Sequence, residues 1–156
     1  MTRRAVYVLT WCHRADSLWA NEFVFSSLRT GFPEADVFVF DNASDPAYRE
    51  PIEAAARSVG GRFHQIEHEQ EHGDFIRQVL FETDYDEICF VDPDVVFWSA
   101  MPPLEAPRLI AGREQPAFAD DSTDTVPQAR LHSAVFQVGD VRKLRHVIEE
   151  AESGWV

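Results

Sequence analysis

The chain has 156 residues, with 14 Lys and Arg against 27 Asp and Glu, a formal net charge of −13, and 45% hydrophobic residues. That length and composition suit one globular domain with a sizeable core and exclude a collagen, a coiled coil and a disulfide mini-protein. So acidic a chain repels nucleic-acid phosphate and anionic lipid: no nucleic-acid partner is expected, and an anionic ligand needs a metal cation or a locally basic loop.

Residues 5–11 are continuously apolar and predict a strand covered on both faces. Arg3 and Arg4 before it imitate a secretion signal, but the stretch is short and ends in His13-Arg14 without a small-x-small cleavage site. No window approaches the roughly 18 apolar residues of a membrane helix, so no transmembrane segment is expected. Cys12 and Cys89 lie in or beside apolar runs, where reduced thiols pack as small hydrophobes, and the cytoplasm is the simplest compartment. A helix is expected from Asp16 as N-cap to Gly31 as the residue just past the end, then a strand at 36–40. A second helix begins with Pro51 at its first position and carries Ile52, Ala55, Ala56 and Val59 before Gly60-Gly61. Residues 62–66 read as a weaker strand. A third helix places Phe75, Ile76, Val79 and Leu80 on one side, and 88–91 form another apolar strand. Residues 109–111 and 133–138 read as strands, and a last helix after Asp140 shows Val141, Leu144, Ile148 and Ala151 in helical spacing. Residues 112–131 lack periodicity and hold Asp120, Asp121 and Asp124; this is a lid, a binding loop or a solvated segment.

Strands and helices thus alternate, which predicts a three-layer α/β/α fold, one domain over 1–156, with a mostly parallel central sheet. Such sheets bind ligands beyond the carboxyl ends of their strands, which directs attention to Asp41-Asn42 and Asp92-Pro93-Asp94. Side chains at i and i+2 of an extended segment point the same way, so Asp92 and Asp94 can converge on one hard cation, Mg2+ or Mn2+, and Pro93 favours the extended form of Asp92. With 13 Asp in 156 residues, about one Asp-x-Asp is expected by chance; the other one here, Asp84-Tyr85-Asp86, reads as a plain polar turn. Asp92 differs in ending an apolar strand.

Three segments, in order, carry a resemblance: Val8-Leu9-Thr10-Trp11-Cys12-His13-Arg14 with Ser26-Ser27-Leu28, Phe40-Asp41-Asn42-Ala43-Ser44-Asp45, and Phe90-Val91-Asp92-Pro93-Asp94. Together, over residues 5–98, the chain resembles the nucleotide-diphosphosugar glycosyltransferases of the GT-A fold, and in these segments their large inverting family. The resemblance implies a nucleotide-sugar donor, a hydroxyl acceptor of unknown identity and Mn2+ or Mg2+ as cofactor, with residues 1–98 the nucleotide-binding half and 99–156 the acceptor-side or lid half. It implies that Thr10 and Asp41 face the base and ribose, Asp41 being the base contact; Trp11, Arg14 and Asn42, beside the same strand ends, are further donor-binding candidates. Asp92 would lie near the ribose or the metal and Asp94 would ligate the metal directly. Residues 131–138 are similar instead to a strand of retaining GT-A enzymes, with His132 in the donor-sugar position, so the anomeric outcome is open. Inverting transfer needs a carboxylate base, for which Asp120 and Asp121 are candidates by position and charge alone; His132 is the other catalytic candidate. The chain ends well short of a usual GT-A domain, so acceptor recognition is expected to be reduced or supplied by a second copy or a partner subunit. A non-catalytic nucleotide-sugar-binding module is the alternative.

A competing motif is His68-Glu69-Gln70-Glu71-His72, the H-E-x-x-H pattern of zinc metallopeptidases, which needs both histidines on one face of a helix. Five polar residues followed by Gly73 favour a polar loop. His13 with Arg14 is placed to meet a phosphate or to form a surface pair.

Overall fold

In the computed structural model, which describes residues 2–104, 109–115 and 130–153, β1 (Arg4–Thr10) is buried from both sides. Its side chains alternate: Val6 and Val8 join one hydrophobic cluster, Ala5 and Tyr7 another. The elements that follow are α1 (Ala15–Gly31), β2 (Asp36–Asn42), α2 (Pro46–Ser58), β3 (Arg62–Ile66), α3 (His72–Glu82), β4 (Glu87–Val91), β5 (Ile110–Gln115), β6 (Arg130–Val138) and α4 (Val141–Ser153). The strands form one six-stranded sheet in the order β3-β2-β1-β4-β6-β5. β3, β2, β1 and β4 are mutually parallel, while β6 runs antiparallel to β4 and β5 antiparallel to β6. The fold is the expected α/β type with a mostly parallel sheet.

Helices α1 and α2 cover one face, where Val24, Phe25, Leu28, Ile52 and Ala56 pack on Val6, Val8, Val37 and Val39. Helices α3 and α4 cover the other, where Phe75, Val79, Leu80, Val141 and Leu144 meet Tyr7, Ile88, Phe90 and Val138. Each fully buried Phe, Leu, Ile or Val contributes roughly 1.5–3 kcal/mol, so the two clusters are what hold the sheet between its helices.

Several boundaries differ from the sequence expectation. α2 starts at Pro46, not Pro51: Asp45 is its N-cap residue, and Pro51 sits inside the helix. It ends, as expected, before Gly60-Gly61: Gly60, with a φ of 69°, lets its own N–H reach Arg57 O and Gly61 N–H reach Ala56 O, a Schellman closure. Gly31 is the last helical residue of α1 rather than the one past it, and Arg14, not Asp16, is the N-cap residue. What Gly31 provides is space, since a Cβ there would stand 2.6 Å from Phe97 Cγ. β5 and β6 are both longer than their sequence signals. Among the described residues no helix is long and apolar enough to cross a membrane.

Candidate functional site

The chain leaves β1 toward β2 on one side and later returns as β4 on the other, so the strand order reverses between β1 and β4. At such a reversal the loops beyond the carboxyl ends diverge and leave a crevice. A cavity of about 260 Å³ lies there, lined by Trp11 from the end of β1, Ser17, Ala20 and Asn21 from α1, and Asp92, Pro93 and Asp94 beyond β4. Asp92 and Asp94 therefore border one recess, Asp92 half-buried and Asp94 exposed. The route to that arrangement differs from the expected extended strand. β4 stops at Val91, and Val95 N–H reaches Asp92 O (3.3 Å), so 92–95 form a turn with Pro93 at its second position, where a fixed φ near −65° suits it. Asp92 N–H is bonded to Ala134 O of β6 (3.0 Å).

The remaining donor-site candidates are distributed as follows. Trp11 is 52% exposed on the rim of the recess. Thr10 is fully buried and donates its hydroxyl to Asn21 Oδ1 (2.6 Å), while Asn21 Nδ2 donates to Ser17 O (2.7 Å); Thr10 thus ties α1 to the end of β1. Arg14 is exposed and paired with Asp16 at 2.9 Å. Asn42 exchanges two bonds with the backbone of Gln70, Nδ2 to Gln70 O (2.9 Å) and Gln70 N–H to Oδ1 (2.8 Å), so its amide locks the end of β2 to the loop before α3.

Asp41 is fully buried at the carboxyl end of β2. Its Oδ1 accepts Ser44 N–H (3.3 Å), an approach made through Ala43, whose φ of 58° is left-handed and costs an alanine about 1–2 kcal/mol. Among the described residues its Oδ2 has no hydrogen-bond partner; Arg49 Nε stands 3.9 Å from it and donates to Ser44 O (2.9 Å). The loops after β1 and β2 are locked together: Cys12 N–H donates to Ser44 Oγ (2.8 Å) and Asp45 N–H to Cys12 O (3.0 Å). His13 Nδ1 is 2.8 Å from Asp45 Oδ1, and the imidazole lies edge-on to Trp11 with ring centroids 4.2 Å apart. Asp45 makes no side-chain cap on α2, forgoing an interaction worth about 1 kcal/mol, while it holds His13. Burial pushes the Cys12 thiol up, and Asp41, Asp45 and Asp16 add to that shift, marking a negative field in these loops.

Two carboxylates on one recess are hard oxygen donors of the kind Mg2+ and Mn2+ take, and such ions keep several positions for water and phosphate. Among the described residues no group of three or more His, Cys, Asp or Glu gathers around one point, so the protein's share of such a shell would be these two side chains. The donor set fits the expected cofactor. The competing zinc motif lacks its premise: His68 lies in a bend and His72 opens α3, so the two histidines do not share a helix. A larger cavity of about 640 Å³ opens at the opposite, amino-terminal end of the strands, lined by Arg3, Arg4, Asp36, Tyr85 and Glu87 among others. Part of its polar lining is already engaged: Arg4 binds Met101 O, Pro102 O and Glu87, and the Tyr85 hydroxyl donates to Asp36.

Asp120, Asp121 and Asp124 lie outside the described residues. His132 is on β6, and the pairing of Val91 with Val135 carries its backbone past the carboxyl end of β4, the sheet end that bears Asp92. Sequence reasoning gave no role to Asn21 or Arg49. Asn21 carries a signal in hindsight, a polar residue among Leu18, Val24, Phe25 and Leu28 on the buried side of an amphipathic helix.

No family model matches the sequence, and no curated protein matches it. Among solved structures the chain is similar to TarS from S. aureus, residues 1–349, at 21% identity with a TM-score of 0.46, over 60% of this chain and 28% of that one. The same protein in complex with UDP gives a TM-score of 0.47 over the same shares. The mannosyltransferase PcManGT from Pyrobaculum calidifontis, in complex with GDP-Man and Mn2+, is similar at 16% identity with a TM-score of 0.46, over 62% of this chain and 29% of that one. The chain spans less than a third of the length of these structures, and the likeness is one of fold.

Proposed function

We propose that this chain is the nucleotide-binding part of a glycosyltransferase that takes a nucleotide-sugar donor with Mn2+ or Mg2+ and passes the sugar to a hydroxyl acceptor. The observation that carries this reading is the recess at the strand-order reversal, bordered by Asp92, Asp94 and the half-exposed Trp11. A chain of net charge −13 repels a diphosphate unless a cation stands between them, and Asp92 and Asp94 are the residues that would hold it. Bound there, the cation would neutralise the diphosphate and stabilise it as a leaving group. Trp11 offers a flat apolar face beside the carboxylates, against which a ribose or sugar ring can lie. Asp41, whose buried Oδ2 has no hydrogen bond among the described residues, would take the nucleobase, as the GT-A resemblance implies. Arg14 stands exposed at the start of α1, on the same loop as Trp11, and would face the donor's negative end. Proton removal from the acceptor is left to Asp120, Asp121 or His132, or to a second subunit. Two buried free thiols are in keeping with a cytoplasmic setting.

The test is turnover. Incubated with Mn2+ and UDP-, GDP- or dTDP-sugars, the protein is expected to release free nucleoside diphosphate slowly from one donor class, and Asp94→Ala to lose that release. Metal-dependent binding with no release from any donor would make the chain a nucleotide-sugar-binding module, and neither binding nor release would end the reading.

A further inference from the structure

Among the described residues, two buried side-chain atoms lack a hydrogen-bond partner, Asp41 Oδ2 and His13 Nε2. His13 lies in the loop after β1 and Asp41 at the carboxyl end of β2, two neighbouring strand ends whose following loops Cys12, Ser44 and Asp45 lock together. The Asp45 carboxylate on Nδ1 keeps a proton on that nitrogen, so in the neutral ring Nε2 is an acceptor directed away from Asp45. Asp41 Oδ2 is an acceptor as well. Two desolvated acceptors at neighbouring strand ends, with Arg49 Nε no nearer than 3.9 Å to Asp41 Oδ2, are unfavourable until something donates to them, and phosphate oxygens have no hydrogen to give. Hydroxyl and N–H groups do. Trp11, edge-on to the imidazole and on the rim of the recess that holds Asp92 and Asp94, connects these loops to the diphosphate end of the site.

Resting on the nucleotide-sugar reading above, we propose that His13 is a nucleoside-contacting residue: its Nε2 accepts a hydrogen from a hydroxyl or N–H of the nucleoside, alongside Asp41 Oδ2, and Asp45 is the positioning residue that holds the ring. Both acceptors are closed to water in this form, so the side chains that cover them have to shift as the nucleoside enters. The division of labour is then by chemistry, with the anionic end of the ligand at the cation on Asp92 and Asp94 and its hydrogen-donating end at His13 and Asp41.

The test is calorimetric titration of the chain in Mn2+ with four probes, UDP, GDP, dTDP and inorganic pyrophosphate, for the parent, His13→Phe, Asp45→Ala and Asp45→Asn. His13→Phe keeps a flat ring against Trp11 and removes both nitrogens. It is expected to bind the parent's preferred nucleoside diphosphate about ten-fold more weakly while its pyrophosphate affinity stays unchanged. Asp45→Ala should show the same selective loss in smaller measure, and Asp45→Asn, whose amide oxygen still accepts from Nδ1, should recover most of it. Should His13→Phe fail to fold, the two Asp45 variants decide on the same criterion. Unchanged nucleoside diphosphate affinity, or an equal loss for pyrophosphate, overturns the assignment and leaves the nucleotide-sugar reading standing. A parent that binds none of the three nucleoside diphosphates overturns both.

Discussion

Gly31 and Phe97 are in contact so close that a Cβ on Gly31 would lie 2.6 Å from Phe97 Cγ. Around that contact Phe97 N–H donates to Ser27 Oγ (3.1 Å) and Met101 N–H to Gly31 O (2.8 Å). The segment that begins with Asp92 and Asp94 is thereby laid along α1, whose N-terminal half supplies Ser17, Ala20 and Asn21 to the same recess.

Gly31→Ala is accordingly expected to act twice. Overpacking a filled site typically costs about 1–3 kcal/mol, which urea unfolding would read. Because the displaced segment carries Asp94, the same variant should bind Mn2+ with nucleoside diphosphate more weakly than the parent. Wild-type stability would show that Phe97 moves freely and fixes nothing.

Asn42→Ala leaves the half-buried Gln70 backbone N–H and C=O without their side-chain partner, a loss of about 1–3 kcal/mol in unfolding free energy. Asn42→Asp keeps the acceptor for Gln70 N–H but places a carboxylate oxygen against Gln70 O, so it should be no more stable than Asn42→Ala at neutral pH. An Asn42→Asp protein as stable as the parent would mean that the amide is a ligand contact rather than a clamp.

Alkaline pH tests the burial of Cys89. Desolvation pushes its thiol up from 9.0 to about 12, and burial raises Tyr7, Tyr85 and Cys12 as well. Above pH 9 the unfolded chain releases the Cys89 proton that the folded chain keeps. This contribution to stability is therefore whole below pH 9 and is lost as pH climbs toward 12, at up to about 1.4 kcal/mol per unit from this group. Urea midpoints at pH 8, 9, 10 and 11 would show the decline, and Cys89→Ala should make it shallower. An equal decline in Cys89→Ala would assign it to the other groups.

How far the sequence reached depended on whether a signal was local. The strand ends Asp41 and Asp92 were legible because each follows an apolar run, and those runs recur with helices between them. The turn at Asp92-Pro93-Asp94-Val95 was not, since strand periodicity says nothing once pairing stops at Val91. The start of α2 was misplaced because Asp45-Pro46 and Glu50-Pro51 both suit a helix beginning; what selects the first is the tie of Asp45 to Cys12 and His13, 33 and 32 residues away in the chain. Asn42 with Gln70, Thr10 with Asn21 and Gly31 with Phe97 are pairings between separate elements or helix faces, and no spacing rule announces them. The donor-site set read from the resemblance is correspondingly mixed: Trp11, Asp92 and Asp94 border the recess, whereas the side chains of Thr10 and Asn42 are spent on the protein itself.

The most direct measurement is a thermal-unfolding screen of UDP, GDP and dTDP with and without Mn2+, on the parent and on Asp94→Ala. Binding to the folded state at a hundred-fold excess over Kd contributes about 2.7 kcal/mol, a rise of several degrees for a chain of this size. One nucleoside diphosphate should raise the parent's Tm only when Mn2+ is present, and the rise should vanish in Asp94→Ala while the Tm without ligand is unchanged. A shift of equal size without Mn2+ or in Asp94→Ala, or no shift with any of the three, would contradict a cation held by Asp92 and Asp94.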